Sequence, residues 1–211
     1  MGLLNIHQRP SFSEEEELLA RGIRLIAGVD EVGRGSIAGP VVAAAVILPN
    51  NLRASWLAEV RDSKELSPVK REILNKHIRE TAISFGIGAV SHKLIDTLGI
   101  VRANKLAMKL AIDKLSPAPQ YLLIDYLQLP AVRLPQKGIT DGDCKCFSIA
   151  CASIVAKVAR DNMMVKMDRL YSGYRWAENK GYCTEAHMVG LSRLGPSPIH
   201  RRTFEPVRGY F

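Results

Sequence analysis

No apolar run in this 211-residue chain is long enough to cross a membrane: the longest, Val41 to Leu48, falls far short of the roughly 20 residues a span needs. Near its start the chain carries SEEEELL (Ser13 to Leu19) rather than a basic stretch leading into an apolar one, so no secretory signal is expected. Cysteine is scarce. Cys144, Cys146, Cys151 and Cys183 show no paired CxxC spacing, which argues against a zinc site or a disulfide framework and for reduced thiols in a cytoplasmic protein. An internal repeat, a low-complexity stretch and a domain linker are also missing. Acidic residues are outnumbered, 21 against 29 Lys and Arg, for a net charge of +8. Such a surplus suits a polyanionic partner, chiefly nucleic acid, although basic surfaces are often merely solvated. With 47% hydrophobic and 24% charged residues, the chain reads as one globular domain of a few layers.

Along the chain, Ser13 and Glu16 fit a capping box opening a short helix over about 13–21. Arg24 to Val29 and Val41 to Leu48 read as two strands, joined through the turn Gly33-Arg34-Gly35 and then Gly39-Pro40. The second is apolar without alternation, the pattern of a strand buried on both faces. DSKELS (Asp62 to Ser67) is a polar loop, and Ser67 with Pro68 opens a helix with Ile73, Leu74 and Ile78 at helical spacing. Ala82 to Val90 is another strand. A helical pair covers about 92–115, with Leu106, Leu110 and Ile112 expected on its inward side. Tyr121 to Ile124 is a short strand delivering Asp125, and a loop with Gly138 and Gly142 brings in Asp143. Cys146 to Leu170 reads as a long helix whose Ala, Ser and Cys residues allow close packing on a sheet. The basic tail after Tyr171 is expected to be helical around Glu185 to Leu194. Strands alternating with helices argue for an α/β layered fold.

The acids fall at telling places. Asp30 and Glu31 follow one buried strand, Asp125 follows another, and Asp143 precedes a small-residue helix. Carboxylates so placed can converge on one edge of a sheet, and in a basic protein such a cluster calls for hard cations such as Mg²⁺. Yet an acid after a strand is ordinarily a turn residue and Asp before a helix ordinarily a cap, so spacing alone leaves both readings open.

Motif content goes further. GVDEVGRGSIAGPVVAAAVIL (Gly28 to Leu48) closely resembles the signature of ribonuclease HII, the bacterial type 2 ribonuclease H family. The resemblance continues through DSKELS, LLIDY (Leu122 to Tyr126), GDCKCFSIACASIVAKVARD (Gly142 to Asp161), GYCTEAH (Gly181 to His187) and GPSPIHRRTFEPV (Gly195 to Val207). It implies an RNase H-like mixed β-sheet flanked by helices, with a small helical C-terminal part. The implied division is an N-terminal helical extension (1–22), a catalytic domain (23–170) and a basic C-terminal segment packed on it (171–211). The implied activity is endonucleolytic cleavage of the RNA strand of RNA–DNA hybrids, single ribonucleotides in duplex DNA included. The cut would fall 5′ of the ribonucleotide and leave a 3′-hydroxyl and a 5′-phosphate, as in removal of misincorporated ribonucleotides and RNA primers.

By the same resemblance the metal-binding and catalytic carboxylates are Asp30, Glu31, Asp125 and Asp143, holding two Mg²⁺ or Mn²⁺ ions. Gly33, Arg34 and Gly35 would read the 2′-hydroxyl, and Tyr182 would stack on the sugar beside the scissile bond. Lys64, Ser153 and Lys157 match positions of phosphate contact or site support. Two positions depart from the family pattern: Tyr126 stands where a small residue is usual, and Asp141 where a Lys is common. Arg201 and Arg202 are expected to track the duplex backbone or to confer solubility. Histidines such as His187 and His200 are more often structural than catalytic, although a flexible His serves as an acid in related folds, and both readings stay open. The expected protein is a monomer whose partners are hybrid and ribonucleotide-containing duplexes, with no membrane. Ribonuclease HIII fits less well, since its fourth acid is typically Glu and it carries an extra N-terminal binding domain. A non-catalytic basic nucleic-acid-binding protein is the alternative outside enzymes.

Overall fold

A computed structural model describes residues 9–211. Its elements are α1 (Ser13–Ala20), β1 (Ile26–Val32), β2 (Val41–Ile47), α2 (Pro68–Thr81), β3 (Ser84–Val90), α3 (His92–Leu98), α4 (Ile100–Ile112), β4 (Tyr121–Asp125), β5 (Gln136–Ile139), α5 (Gly142–Lys145), α6 (Phe147–Leu170), α7 (Trp176–Asn179) and α8 (Glu185–Leu194), with 3₁₀ turns at Ser55–Glu59 and Val207–Tyr210. The strands form one mixed sheet in the order β3-β2-β1-β4-β5. β1 pairs antiparallel with β2 and parallel with β4, β2 pairs antiparallel with β3, and β4 pairs parallel with β5.

Every residue of β2 is buried, as a strand without polar alternation should be when helices cover both faces. On one face Ala27, Val29, Ala43 and Ala45 pack against Ala103, Ala107 and Met108 of α4. On the other, Ala44 and Val46 meet Leu74 and Ile78 of α2 and Ala152, Val155 and Ala156 of α6. The small residues of α6 let it lie almost in contact with the sheet backbone: a Cβ on Gly28 would stand 2.0 Å from the Ser148 carbonyl carbon. That close approach brings Ser153 and Lys157 of α6 alongside the end of β1. Among the described residues, no helix is long and apolar enough to cross a membrane. All four cysteines are free.

Several boundaries differ from expectation. β1 runs to Val32, so Asp30 and Glu31 lie inside the strand, opposite Ala44 and Ala43, rather than after it. No capping box forms: Phe12 precedes α1 without a side-chain cap, and the Ser13 hydroxyl bonds that of Ser11 instead. Glu15 takes the buried position, accepting from the Ser148 amide at 2.9 Å. The stretch read as a loop before Asp143 contains the edge strand β5, and Asp143 itself lies in the single turn α5. Ile73 is exposed on α2, and Leu110 lies at the outer margin of α4. Ile112 is buried as expected, beside Ala103, Ala107, Met108 and Ala111, and α4 runs close over Gly86 and Gly88 of β3, where a Cβ would meet the Ala111 and Ala107 carbonyl oxygens at 2.1 and 2.0 Å. Ser67 does cap α2, accepting from the Lys70 amide with Pro68 in the first turn, and α8 spans the expected residues. The first eight residues of the expected N-terminal extension lie outside the described residues.

Candidate active site

Parallel pairing of β1 with β4 sets Val29 opposite Ile124, so Asp30 and Asp125 leave the sheet side by side at the same edge. Successive residues of a strand face opposite ways, which sends Asp30 toward α6 and Glu31 toward the α4 side. Asp143 arrives from α5, whose start is held to β4 because the Gly142 amide donates to Asp125 Oδ1 at 2.7 Å. The result is an open cleft of about 530 Å³ lined by all four acids together with Gly33, Arg34, Gly35, Lys64, Ser153, Lys157 and Tyr182. The eleven positions singled out from sequence thus meet in one place. Tyr126 and Asp141, the two departures from the family pattern, both take left-handed backbone conformations, and neither lines the cleft.

The cleft is electrostatically tense. Burial raises the Asp30 carboxyl well above its ordinary range, and the neighbouring charges of Glu31, Asp125 and Asp143 push it further. Burial also raises Glu31, against the opposing pull of Arg34, whose Nη1 lies 3.4 Å from Glu31 Oε1. Asp125 and Asp143 are raised chiefly by burial as well, Asp143 with a further push from Asp62. Burial draws the Lys64 ammonium down, but Asp62, Asp143, Asp30 and Asp125 outweigh it and leave its pKa raised. Its Nζ stands 3.7 Å from Asp62 and 3.9 Å from Asp143. Lys157 is spoken for within the fold, donating to Asp161 at 2.8 Å, and its Nζ lies 6.0 Å from the Tyr182 ring centroid. The Ser153 hydroxyl bonds that of Ser63 at 2.9 Å.

Three participants escaped the sequence reading. Asp62 sits in the DSKELS loop two residues from Lys64; with Asp143 and Cys144 it brings ligand atoms within 4.8 Å of one another. Burial, then the charge of Asp143, lifts the Cys144 thiol to about 11, so it stays protonated at neutral pH and leaves a set of hard oxygen donors. Arg71 lines the cleft from α2 and ties down the loop carrying Lys64, donating to the Ser63 and Leu66 carbonyls at 2.8 and 2.6 Å. Arg201 overturns the expectation of a backbone-tracking tail arginine: it is fully buried, and its guanidinium faces the Gly33-Arg34 turn from inside. No periodicity marks a tail arginine as buried.

His187 and His200 are buried and hydrogen-bonded within the fold. Trp176 Nε1 donates to His187 Nε2 at 2.9 Å, and the Ser197 amide donates to His200 Nδ1 at 2.8 Å. Those two bonds leave His187 Nδ1 to donate to the Tyr182 carbonyl at 2.9 Å, and His200 Nε2 to donate to His187 Nε2 at 3.1 Å. The segment bearing Tyr182 is thereby anchored to the C-terminal helices.

Comparison with known proteins agrees with the motif resemblance. The family model described as Ribonuclease HII matches residues 27–207. The chain is 55% identical over 202 residues to a ribonuclease HII of Dehalococcoides mccartyi, covering 96% of each chain. It is 50% identical over 194 residues to one of Enterococcus faecalis, covering 92% of this chain and 74% of that one. Among solved structures, ribonuclease H2 from Pyrococcus horikoshii superposes with a TM-score of 0.72 at 25% identity, covering 88% of this chain and 96% of the other. The mixed five-stranded sheet with its flanking helices is thus an RNase H-like fold, and the chain belongs to the ribonuclease HII family and is a ribonuclease H.

Proposed function

We propose that this protein is a divalent-metal-dependent endonuclease that hydrolyses the RNA strand of RNA–DNA hybrids and cuts 5′ of single ribonucleotides embedded in duplex DNA. One observation carries the reading: four carboxylates from β1, β4 and α5 crowd one cleft, each with its pKa raised, in a protein of net charge +8. A polyanionic substrate cannot approach such a cluster unless cations occupy it, and an oxygen-only donor set suits hard ions such as Mg²⁺ or Mn²⁺. In this reading Asp30 and Asp125 are the central ligands, with Glu31 and Asp143 completing the set. When bound, two such ions lower the pKa of an attacking water and stabilise charge on the phosphoryl and leaving oxygens.

The chain's own residues orient the duplex. Arg34 and Lys64 offer cations at the cleft mouth to phosphates. The Gly33-Arg34-Gly35 backbone is available to a ribose 2′-hydroxyl, the group that separates RNA from DNA at that sugar. Tyr182, with Arg160 Cζ 5.6 Å from its ring centroid, offers a fixed aromatic face to the neighbouring sugar. A 2′-hydroxyl on that neighbour would disturb the contact, which favours a DNA sugar there and a cut on the 5′ side of the ribonucleotide. Residues 23–170 supply the acids in this reading and residues 171–211 the tyrosine. The non-catalytic alternative leaves the buried acids without a purpose.

End analysis of a DNA duplex carrying one ribonucleotide, incubated with Mg²⁺, Mn²⁺ or EDTA, tests the proposal. The expected products are a 3′-hydroxyl on the DNA side and a 5′-phosphate on the ribonucleotide, in the metal-containing reactions only. Binding without cleavage in every arm would establish the non-catalytic alternative.

A further inference from the structure

Arg201 is fully buried, and all three of its nitrogens donate to backbone carbonyls: Nε to Gly39 at 3.0 Å, Nη1 to Arg34 at 2.9 Å and Nη2 to Gly33 at 2.7 Å. Burial, helped by the nearby Arg160 charge, lowers its pKa to about 9, so it remains a cation at neutral pH. Among the described residues it has no carboxylate at ion-pair distance; besides the carbonyls it meets the Phe204 ring, whose centroid lies 5.0 Å from Cζ, and keeping a guanidinium out of water without a counter-charge is costly.

What it holds explains the expense. The carbonyls of Gly33 and Arg34 belong to consecutive peptides, and neither peptide is among the cis bonds, which fall at Ser116-Pro117 and Glu205-Pro206. In a trans peptide the N–H points away from the C=O. A fork that draws both carbonyls inward therefore turns the Arg34 and Gly35 N–H groups outward. Neither N–H donates to a protein acceptor among the described residues, and both residues line the cleft. Arg160 braces the other side of the turn, donating to the Pro40, Lys180 and Ala38 carbonyls at 2.9, 2.8 and 3.3 Å. Gly33, at φ 89°, is the residue that permits this packing, since a Cβ there would stand 2.1 Å from Arg160 Nε. Two adjacent outward N–H groups backed by two buried cations form a donor pair for one oxygen acceptor.

We propose that Arg201 is a positioning residue for ribose recognition: its grip on the Gly33 and Arg34 carbonyls aims the Arg34 and Gly35 amides at the substrate's 2′-hydroxyl. The inference rests on the endonuclease reading above and adds the device that sets its sugar selectivity. Lysine cannot replace the fork, because one ammonium does not span two carbonyls in a fixed plane.

The test compares wild type with Arg201→Lys in kcat/KM on a DNA duplex containing one ribonucleotide and in Ki for the same duplex built wholly of DNA, used as competitor. Melting curves establish that the variant is folded; should Lys fail to fold, Arg201→Gln, neutral and easier to bury, takes its place. The expected result is a loss on the order of 10- to 100-fold in kcat/KM, as misplacement of a substrate-orienting group produces, with Ki unchanged within about twofold. An undiminished kcat/KM, or a parallel loss in Ki showing that the amides serve phosphate rather than the hydroxyl, overturns the inference. Failure of the endonuclease reading is seen separately, as a wild-type protein that leaves the ribonucleotide duplex uncut.

Discussion

Asp30 bears the strongest electrostatic load in the cleft, buried within β1 with Glu31, Asp125 and Asp143 around it. A carboxyl whose folded pKa lies above its unfolded value binds its proton more tightly in the fold. Its ionisation therefore costs nothing below about pH 4, the ordinary Asp value, and destabilises the fold progressively as pH rises through the shifted value. Asp30→Asn, which can still accept from the Glu31 amide, is expected to melt higher than wild type in EDTA at pH 7. The gain should shrink toward zero on acidification to about pH 4. Thermal melts across pH in EDTA check this, and a variant less stable than wild type at neutral pH would show that the charge is already compensated. At this scale the sequence was legible where a motif named a residue and silent where only packing does. Asp62 sits unmarked beside the singled-out Lys64, and Arg201 is indistinguishable in sequence from its exposed neighbour Arg202.

Among the elements, β2 could be read outright because a strand covered on both faces needs no polar alternation. The edge strand β5 could not: Gln136, Lys137 and Gly138 are at most half-buried, have no apolar period, and pair on one side only, with β4. The long helix α6 was legible through its small residues, while the depth at which it packs on Gly28 belongs to the assembled sheet. The C-terminal helices carry the opposite pH dependence to Asp30. Burial depresses both His187 and His200, the latter to about 4 with a further push from His187. A histidine depressed in the fold contributes stability that is full above its unfolded value, about 6.5, and is lost as pH falls through the folded one. Protonating His187 Nε2 would also set it against two donors, Trp176 Nε1 and His200 Nε2. Amides of α7 and α8 are therefore expected to lose hydrogen-exchange protection between about pH 6.5 and pH 4, after correction for intrinsic rates, before those of β1 and β2 do. Uniform loss across sheet and C-terminal helices would show that the histidine pair is not the weak point.

Over the whole molecule, a net charge of +8 surrounds a cleft whose floor is acidic, a distribution that attracts a duplex yet requires cations at the centre. Duplex affinity should fall linearly in log–log form with salt, because phosphate contacts release condensed counterions. Since Arg201 is buried, only Arg202 of the pair is available to phosphate, and Arg202→Ala should flatten the slope by at most about 1. A flattening of about 2 would mean that its loss disturbs further contacts.

The central claim, that the acids of the cleft hold divalent ions for hydrolysis, is tested most directly by single-turnover cleavage of a one-ribonucleotide duplex across Mg²⁺ concentrations, comparing wild type with Asp125→Asn. Asp125 faces the cleft and is fixed by the Gly142 amide, a bond that Asn Oδ1 can still accept. The expected outcome is Mg²⁺-dependent cleavage abolished by EDTA in wild type, with the folded variant slower by more than the roughly 10- to 100-fold that removing a metal ligand's hydrogen-bond partner costs. Cleavage by wild type that survives EDTA, or a variant that matches wild type at saturating Mg²⁺, would contradict the account.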